Sequence, residues 1–190
     1  MSTAFVCGNG ISRKNISLAS LRSHGPIYGC NAMYREFEPD CLIATDRPIS
    51  EQIQKSGYSK THRFYTRRPL PGFGAFALSK KYYGNSSGPN AIAIAAMDGH
   101  DTIYLLGFDM GPTVNAKFNN VYAGSQFYKS VDSAPTYTGN WIRQIVTIAE
   151  DFPKVSFVRV TGSTTAKIAD FDKLNNFKNI TIDEFCSLMA

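Results

Sequence analysis

The chain has 190 residues, of which 43% are hydrophobic and 18% charged, a balance typical of a globular domain with an ordinary core. This length favours one domain, and we expect a single nucleotide-binding domain over residues 1–190. No apolar run reaches the roughly 18 residues of a membrane span, and the first residues turn glycine-rich before a signal peptide could develop. The sequence therefore predicts a cytoplasmic protein without a membrane span.

Charge and cysteine usage narrow the function classes further. Residues 1–85 hold 12 Lys+Arg against 5 Asp+Glu, whereas residues 86–190 hold 8 against 10. The excess lies in Lys60–Arg68 and at Lys80–Lys81, and it predicts attraction of an anionic ligand. No cysteine belongs to a CxxC pair, which argues against zinc, and we expect four buried, reduced thiols: Cys7, Cys30, Cys41 and Cys186.

Apolar runs in the first half of the chain predict four strands, at Thr3–Cys7, Pro26–Cys30, Cys41–Thr45 and His62–Thr66. Helical patterns at Ile16–Ser23 and Pro48–Ser56 separate them. Arg67–Ser87 is crowded with proline, glycine, aromatics and lysine. That composition predicts a mobile loop or a short helix over a binding site.

The second half opens with the clearest helical pattern, Pro89–Asp98, which ends at Gly99. Further strands are predicted at Thr102–Leu106, Val155–Val160 and Ile180–Ile182, with helices at Gly139–Asp151 and from Asp183. Met110–Thr138 is a long irregular excursion. This alternation predicts one α/β domain with a mostly parallel, Rossmann-like sheet and helices on both faces.

Polar residues directly follow four of the predicted strands: Gly8-Asn9-Gly10, Asn31, Asp46 and Asp109. In open α/β sheets, ligands bind beyond the carboxyl ends of the strands, so these residues predict a nucleotide site. The two glycines would let main-chain amides approach phosphates, and the asparagines would bond base or ribose. The lysine of a P-loop and the third glycine of the dinucleotide fingerprint are missing, which predicts a different binding chemistry.

Three stretches, in this order, carry a family resemblance: GNGIS (Gly8–Ser12), CNAMY with EPDCLIATD (Cys30–Asp46), and SSGPNAIAIAAMDGHDTIYLLGFDM (Ser86–Met110). They resemble the bacterial sialyltransferases that use CMP-sialic acid. They also resemble the motility-associated glycosyltransferases and the archaeal-type hydroxymethylpterin pyrophosphokinases. The resemblance implies a nucleotide site formed by Gly8, Asn9, Gly10, Ser12, Asn31, Asp46, Ser87 and Gly88.

The resemblance also implies catalytic positions. The sialyltransferases place tyrosines near the leaving phosphate, and Tyr122 is the counterpart of one of them. Tyr137 is a further catalytic candidate, in the region where the base of these enzymes is expected. They use a histidine base, but Gly139-Asn140 stands where it is expected. His62, which lies in the basic segment, has a better claim to that role than the other two histidines. Asp46 or Asp109 could instead take the acceptor proton, or hold Mg²⁺ through oxygen ligands.

Three functions remain open on this sequence. The first is a small glycosyltransferase that binds a CMP-linked acidic sugar without a cofactor. The second is a pyrophosphokinase-like enzyme in which Asp46 and Asp109 hold the Mg²⁺ of Mg-ATP. The third is a non-catalytic nucleotide- or nucleic-acid-binding protein that uses the cations and aromatics of Arg67–Tyr83. The acceptor is not predicted.

Overall fold

The computed structural model describes every residue from Met1 to Ala190. The strands are β1 (Thr3–Cys7), β2 (Ile27–Cys30), β3 (Cys41–Ala44), β4 (Phe64–Thr66), β5 (Phe76–Ala77), β6 (Thr102–Leu106), β7 (Ser156–Thr161) and β8 (Phe177–Thr181). The α-helices are α1 (Leu18–Leu21), α2 (Arg47–Lys55), α3 (Tyr58–Thr61), α4 (Ser87–Met97), α5 (Gly139–Asp151), α6 (Ala169–Asp172) and α7 (Ile182–Met189). Two 3-10 helices lie at Ile11–Arg13 and Asn31–Arg35.

The strands form one sheet in the order β5-β4-β3-β2-β1-β6-β7-β8, and all neighbouring pairs are parallel. This confirms the predicted α/β class and makes the sheet wholly parallel rather than mostly so. The strand order reverses between β1 and β6. In doubly wound folds a ligand crevice opens outside the carboxyl ends of the strands at such a reversal.

Helices cover both faces of the sheet, and each face has its own hydrophobic core. On one face, α4 and α5 pack against β1, β3 and β6, with Ala91–Ala96 all buried. Small side chains let α4 lie close to the strands. Because all six of these residues are buried, apolar side chains occur on every side of this part of the helix. On the other face, α2 and α7 bury Ile49, Ile53 and Phe185 against the same strands. The central strands are therefore buried from both sides.

The structure departs from the predicted elements mainly at the sheet edges. β5 lies in the segment that predicted a loop or short helix, and it pairs with β4. β8 starts three residues earlier than predicted, because an edge strand with exposed Lys178 and Asn179 has little apolar pattern. The predicted helix at Ile16–Ser23 forms only the single turn of α1. Met110–Thr138 contains no regular strand or helix, as predicted.

Two sequence expectations concern the molecular surface. Cys7, Cys30 and Cys41 are buried free thiols as expected, but Cys186 is exposed on α7, so that expectation was wrong for one cysteine. Because α7 is amphipathic and packs through Phe185, the next residue along the helix turns toward solvent. No helix in the structure is both long enough and apolar enough to cross a membrane.

Candidate functional site

A cleft of about 210 Å³ opens at the carboxyl ends of the strands where their order reverses. Six residues that the sequence singled out line this cleft: Gly8, Asn9, Asn31, Asp46, Ser87 and Gly88. Ten others complete its lining, among them Thr45, Arg67, Asn120 and Trp141. The carboxyl ends of the strands thus bring together residues that are up to about 130 positions apart in the chain.

Asn31, Thr45 and Ser87 join the ends of β2 and β3 to the start of α4. The Ser87 hydroxyl donates to Asn31 Oδ1 at 3.0 Å and accepts the Thr45 N–H at 3.0 Å. Asn31 has φ of 56°, a left-handed conformation that asparagine tolerates better than most residues. Its Nδ2 group has no partner in the chain and remains a free donor beside the cleft. This junction therefore presents hydrogen-bonding capacity to a ligand.

The N-terminus of α4 also borders the cleft. Ser86 precedes the helix without capping it through its side chain; its hydroxyl instead accepts the indole N–H of Trp141 at 3.0 Å. The first-turn N–H groups of Ser87 and Gly88 have no main-chain partner. A helix N-terminus with free N–H groups carries a partial positive charge and favours an anion.

The two glycines of Gly8-Asn9-Gly10 have a packing role. The N–H groups of Gly8 and Gly10 donate to the carbonyls of Leu106 and Gly107, both at 2.8 Å, so they do not serve as the phosphate donors that the sequence suggested. A Cβ on either glycine would lie 2.6–2.7 Å from the Gly107 oxygen. Gly10 has an ordinary φ of −64°. Glycine is needed here because the end of β1 packs against the chain that follows β6.

A consequence is that a bulkier residue at Gly10 would disturb folding as well as any ligand. A Cβ there would lie 2.6 Å from the Asp109 carboxylate in addition to the Gly107 oxygen. If the two glycines served mainly to let main-chain amides approach phosphates, as the sequence predicts, Gly10→Val would impair binding far more than folding. The structure contradicts that expectation, because the space beside Gly10 is already filled by the protein.

Asn9 and Tyr122 are connected through a buried arginine, Arg13. Its Nε donates to the Gly8 carbonyl at 2.7 Å, and its Nη2 donates to Asn9 Oδ1 and to the Tyr122 hydroxyl, both at 3.1 Å. The Tyr122 hydroxyl in turn donates to Glu36 at 2.6 Å. Burial and the bond to Glu36 raise the pKa of Tyr122, so it remains a neutral phenol. Tyr122 therefore reaches the cleft indirectly, through Arg13 and Asn9.

Asp109 is a buried carboxylate at the centre of three loops. It accepts hydrogen bonds from the Ser12 N–H and hydroxyl, from Asn119 Nδ2 at 3.1 Å, and from the hydroxyls of Thr164 (2.7 Å) and Thr165 (3.2 Å). A carboxylate has about four lone-pair positions, so these bonds satisfy it. Asp109 and Ser12 thus tie the chain after β1 to the chains after β6 and β7.

Arg159, a residue of β7, holds the main chain of the same region through hydrogen bonds. It is 1% exposed, and it donates to the carbonyls of Phe108 (2.8 Å), Asp109 (3.0 Å) and Ala166 (2.8 Å). Burial lowers the pKa of Arg159 to about 10, which leaves the guanidinium charged at neutral pH. The carbonyls after β6 are therefore fixed by a side chain of β7.

Asp46 differs from Asp109 in having no partner. It is exposed at the N-terminus of α2, and its carboxylate caps no helix N–H and forms no ion pair within 4 Å. This carboxylate lines the cleft and has no partner in the chain, so it is free to accept a proton or a hydrogen bond from a ligand. No group of three or more His, Cys, Asp or Glu side chains gathers in a way that could hold a metal ion.

The remaining predicted residues lie outside the cleft. Gly10 and Asp109 line a smaller adjoining pocket, which shares Asn120 and Trp141 with the cleft. Ser12 and Tyr122 belong to the networks described above, and Tyr137 is 76% exposed. His62 stacks on Tyr58, with ring centroids 4.1 Å apart, and lines neither cavity.

Three residues of this region escaped the sequence prediction: Arg13, Thr45 and Trp141. Arg13 follows the glycine turn by three residues, but its burial, which is uncommon for arginine, is seen only in the structure. Trp141 is the single tryptophan of the chain and stands beside a Gly/Asn-rich segment. Arg67, which directly follows β4, was predicted only as part of the basic run that attracts an anionic ligand and of the cations and aromatics of Arg67–Tyr83. Nothing in the local sequence distinguishes Thr45 from any other strand residue.

Comparison with known proteins places this arrangement among solved folds. No protein-family model matches the sequence, and no curated protein matches it. The fold is similar to the structure of the sialyltransferase CstII from Campylobacter jejuni, solved in complex with the substrate analogue cytidine-5'-monophosphate. The TM-score is 0.54 at 14% identity, over 84% of this chain and 79% of that chain. This chain has a sialyltransferase-like fold.

Proposed function

We propose that this protein is a small sialyltransferase-like glycosyltransferase that binds a CMP-linked acidic sugar in the cleft. The observation that carries the proposal is the Asn31–Thr45–Ser87 junction beside the free N-terminus of α4, at the point where the strand order reverses. A nucleotide is the ligand class that suits this place in a doubly wound sheet. CMP is the nucleotide named in the structure with the similar fold.

In this proposal, each part of the cleft meets one part of the donor. The free N–H groups of Ser87 and Gly88 donate hydrogen bonds to phosphate oxygens, and Asn31 Nδ2 donates a hydrogen bond to the nucleoside. Trp141 offers an aromatic surface near both. In the transfer step, the bond between the sugar and the phosphate oxygen breaks and CMP leaves with that electron pair. The acceptor hydroxyl bonds to the sugar, and its proton passes to a base.

Asp46 is our candidate for that base. It is the carboxylate of the cleft that has no partner, whereas Asp109 is fully engaged in holding the loops. The pyrophosphokinase alternative needs both aspartates as Mg²⁺ ligands, and the bonds of Asp109 do not favour it. We assign Asp109 and Ser12 an architectural role in shaping the site.

Titration of CMP and ATP, each with Mg²⁺ and with EDTA, tests the nucleotide. Because Trp141 lines the cleft and is the single tryptophan, its fluorescence should change on binding, alongside the heat measured by calorimetry. We expect CMP to bind equally well with Mg²⁺ and with EDTA. Binding of ATP only with Mg²⁺ would support the pyrophosphokinase instead, and binding of neither nucleotide would exclude both enzymes.

Asp46→Asn tests the base. Hydrolysis of CMP-N-acetylneuraminic acid serves as the assay, since water can replace the unknown acceptor. We expect the rate to fall roughly a hundredfold or more while CMP affinity is kept. The matched control is Asp132→Asn, which makes the same change at an exposed carboxylate outside the cleft. Equal rates in the two variants would remove Asp46 as the base without affecting the nucleotide assignment.

Tyr122→Phe separates two roles for that tyrosine. If its hydroxyl stabilises the departing phosphate directly, hydrolysis should slow roughly a hundredfold to a thousandfold at unchanged CMP affinity. If it positions Asn9 through Arg13, as the hydrogen bonds indicate, CMP affinity should weaken as well. Measuring both quantities on one variant decides between these outcomes.

A further inference from the structure

A second cavity of about 370 Å³ lies beside the cleft, between α2 and the chain that follows β4. We call it the arginine pocket; its lining is Thr45, Asp46, Arg47, Ser50, Glu51, Thr66, Arg67, Arg68 and Leu70. Thr45, Asp46 and Arg67 line both this pocket and the cleft. A ligand in the cleft can therefore extend into the arginine pocket past these three side chains.

Arg67 is held in one orientation at the boundary of the two cavities. Its Nε donates to the Tyr83 carbonyl and its Nη2 donates to the Asn85 carbonyl, both at 2.9 Å. Its guanidinium also lies 5.8 Å from the centre of the Tyr83 ring. No carboxylate lies within 4 Å of it, and Nη1 makes no hydrogen bond in the chain. Arg67 is therefore a fixed cation with unused donors.

The pocket itself is built rather than incidental. Gln54 is fully buried; its Nε2 donates to the Arg68 carbonyl at 3.3 Å and its Oε1 accepts the Leu70 N–H at 2.7 Å. The hydroxyls of Ser50 and Thr66 are hydrogen-bonded at 2.6 Å beneath the turn. These contacts attach the turn after β4 to α2, so the shape of the pocket is fixed before any ligand arrives.

The unpaired positive charge of the basic segment concentrates at this pocket. Arg63 forms a bidentate pair with Asp98, and Lys60 lies over the Phe73 ring, both away from the pocket. Within the pocket, Glu51 pairs with Arg47 at 2.7 Å and with Lys55 at 3.4 Å. Arg67, Arg68 and the carboxylate of Asp46 remain unpaired, which leaves one excess positive charge.

We propose that the arginine pocket is a subsite for an anionic group of the substrate, a carboxylate or a phosphate, with Arg67 as its main partner. The inference rests on the proposed function, since it concerns a substrate whose nucleotide lies in the cleft. A fixed guanidinium matches the two oxygens of either group and loses little entropy on binding. The two sources are the nucleotide phosphate and the carboxylate of an acidic sugar.

Paired probes distinguish these sources. CMP and cytidine differ only in the phosphate, and N-acetylneuraminic acid and its methyl ester differ only in the charged carboxylate. Calorimetry measures all four on the wild type, on Arg67→Met and on Arg67→Lys. The matched control is Lys80→Met, which removes one positive charge from an exposed residue that lies outside both cavities and makes no side-chain hydrogen bond or ion pair. Melting temperatures show whether each variant is folded. If Arg67→Met is not folded, Arg67→Lys, which keeps the charge but loses the planar guanidinium, serves in its place.

We expect Arg67→Met to weaken binding of one anionic probe roughly 10- to 100-fold and binding of its uncharged counterpart little, with Lys80→Met close to the wild type. Loss with CMP alone assigns the phosphate, and loss with the acid alone assigns the carboxylate. If the affinity of neither anionic probe changes, or if Lys80→Met weakens binding as strongly as Arg67→Met, the subsite is overturned. If no nucleotide binds the wild type, the proposed function fails separately. Thermal stabilisation by inorganic phosphate, lost in Arg67→Met but kept in Lys80→Met, then still decides the subsite.

Discussion

At the scale of single residues, Asn31 contributes both a backbone conformation and a side-chain amide, and two substitutions separate them. Asn31→Gly keeps the left-handed backbone and removes the amide, whereas Asn31→Ala removes the amide and strains the backbone by ~1–2 kcal/mol. We expect both variants to bind CMP roughly two- to tenfold more weakly, the value of one hydrogen bond. Only Asn31→Ala should also be clearly less stable in urea unfolding. Unchanged CMP affinity in both would place the nucleotide elsewhere.

Gly10 gives a second residue-level prediction, this time about packing. Gly10→Ala should destabilise the protein by ~1–3 kcal/mol, because its Cβ would meet the Asp109 carboxylate and the Gly107 carbonyl. Gly84→Ala is the control, since a Cβ there meets nothing within 4 Å. It should stay within about 0.5 kcal/mol of the wild type. Equal urea midpoints for the two variants would mean that the end of β1 and the chain after β6 can move apart at little cost.

At the scale of elements, one ion pair joins α4 to the chain before β4. It lies at the amino ends of the strands, away from the cleft. Arg63 donates to both oxygens of Asp98 (2.7 and 3.0 Å), and the Tyr28 hydroxyl donates to the same carboxylate at 2.5 Å. Burial opposes ionisation of Asp98, but the bonds from Arg63 and Tyr28 outweigh it and hold the pKa of Asp98 below its ordinary value. The folded state therefore favours the charged carboxylate.

The pH dependence of this contact follows from that direction. Because the pKa of Asp98 is lower in the folded than in the unfolded state, its stabilisation is complete above about pH 4 and is lost as the pH falls through the folded value. Asp98→Asn should lower stability at pH 7 by ~1.5–3 kcal/mol and flatten the loss of stability below pH 4. Urea unfolding at pH 7, 4 and 2.5 measures both effects. Glu150→Gln, at an exposed carboxylate without an ion pair, is the control and should change neither.

How far the sequence predicts each element depends on where the element lies in the sheet. β1 and β6 were predicted to the residue, because central parallel strands are buried on both faces and form continuous apolar runs. β5 and β8 lie at the edges, where exposed side chains remove that pattern. Predicting them requires knowing which neighbour they pair with, and that information is spread over the whole chain.

The same distinction applies to the candidate site. Asn31, Asp46 and Ser87 are predictable because they directly follow a strand or begin a helix, and parallel strands all end at one edge. Arg67 also directly follows a strand, β4, whereas Trp141 reaches the cleft from the first turn of α5, whose position against the sheet depends on tertiary packing. That the Asp109 carboxylate is fully bonded depends on Asn119, Thr164 and Thr165, which are brought to it only by the folded loops. Sequence adjacency thus identifies the position of a side chain but not its partners.

At the scale of the whole molecule, the four cysteines report on how the sheet opens. Cys7, Cys30 and Cys41 lie in β1, β2 and β3, and burial raises the pKa of each thiol to about 12, so they stay protonated and inaccessible. Cys186 is exposed on α7. At pH 8, a thiol reagent should therefore label one cysteine of the native protein quickly. The other three should react at least about a thousandfold more slowly, at the rate set by unfolding.

Cys186→Ser is the control, and it should remove the fast phase completely while leaving the slow phase unchanged. Because all three buried thiols react only through unfolding, saturating CMP should slow the labelling of all three equally, by the factor by which the ligand stabilises the folded state. Mass spectrometry of the labelled peptides identifies each thiol. Fast labelling of Cys7 or Cys41 in the native protein would contradict a sheet that opens only as a unit, because these thiols lie on opposite faces of its centre.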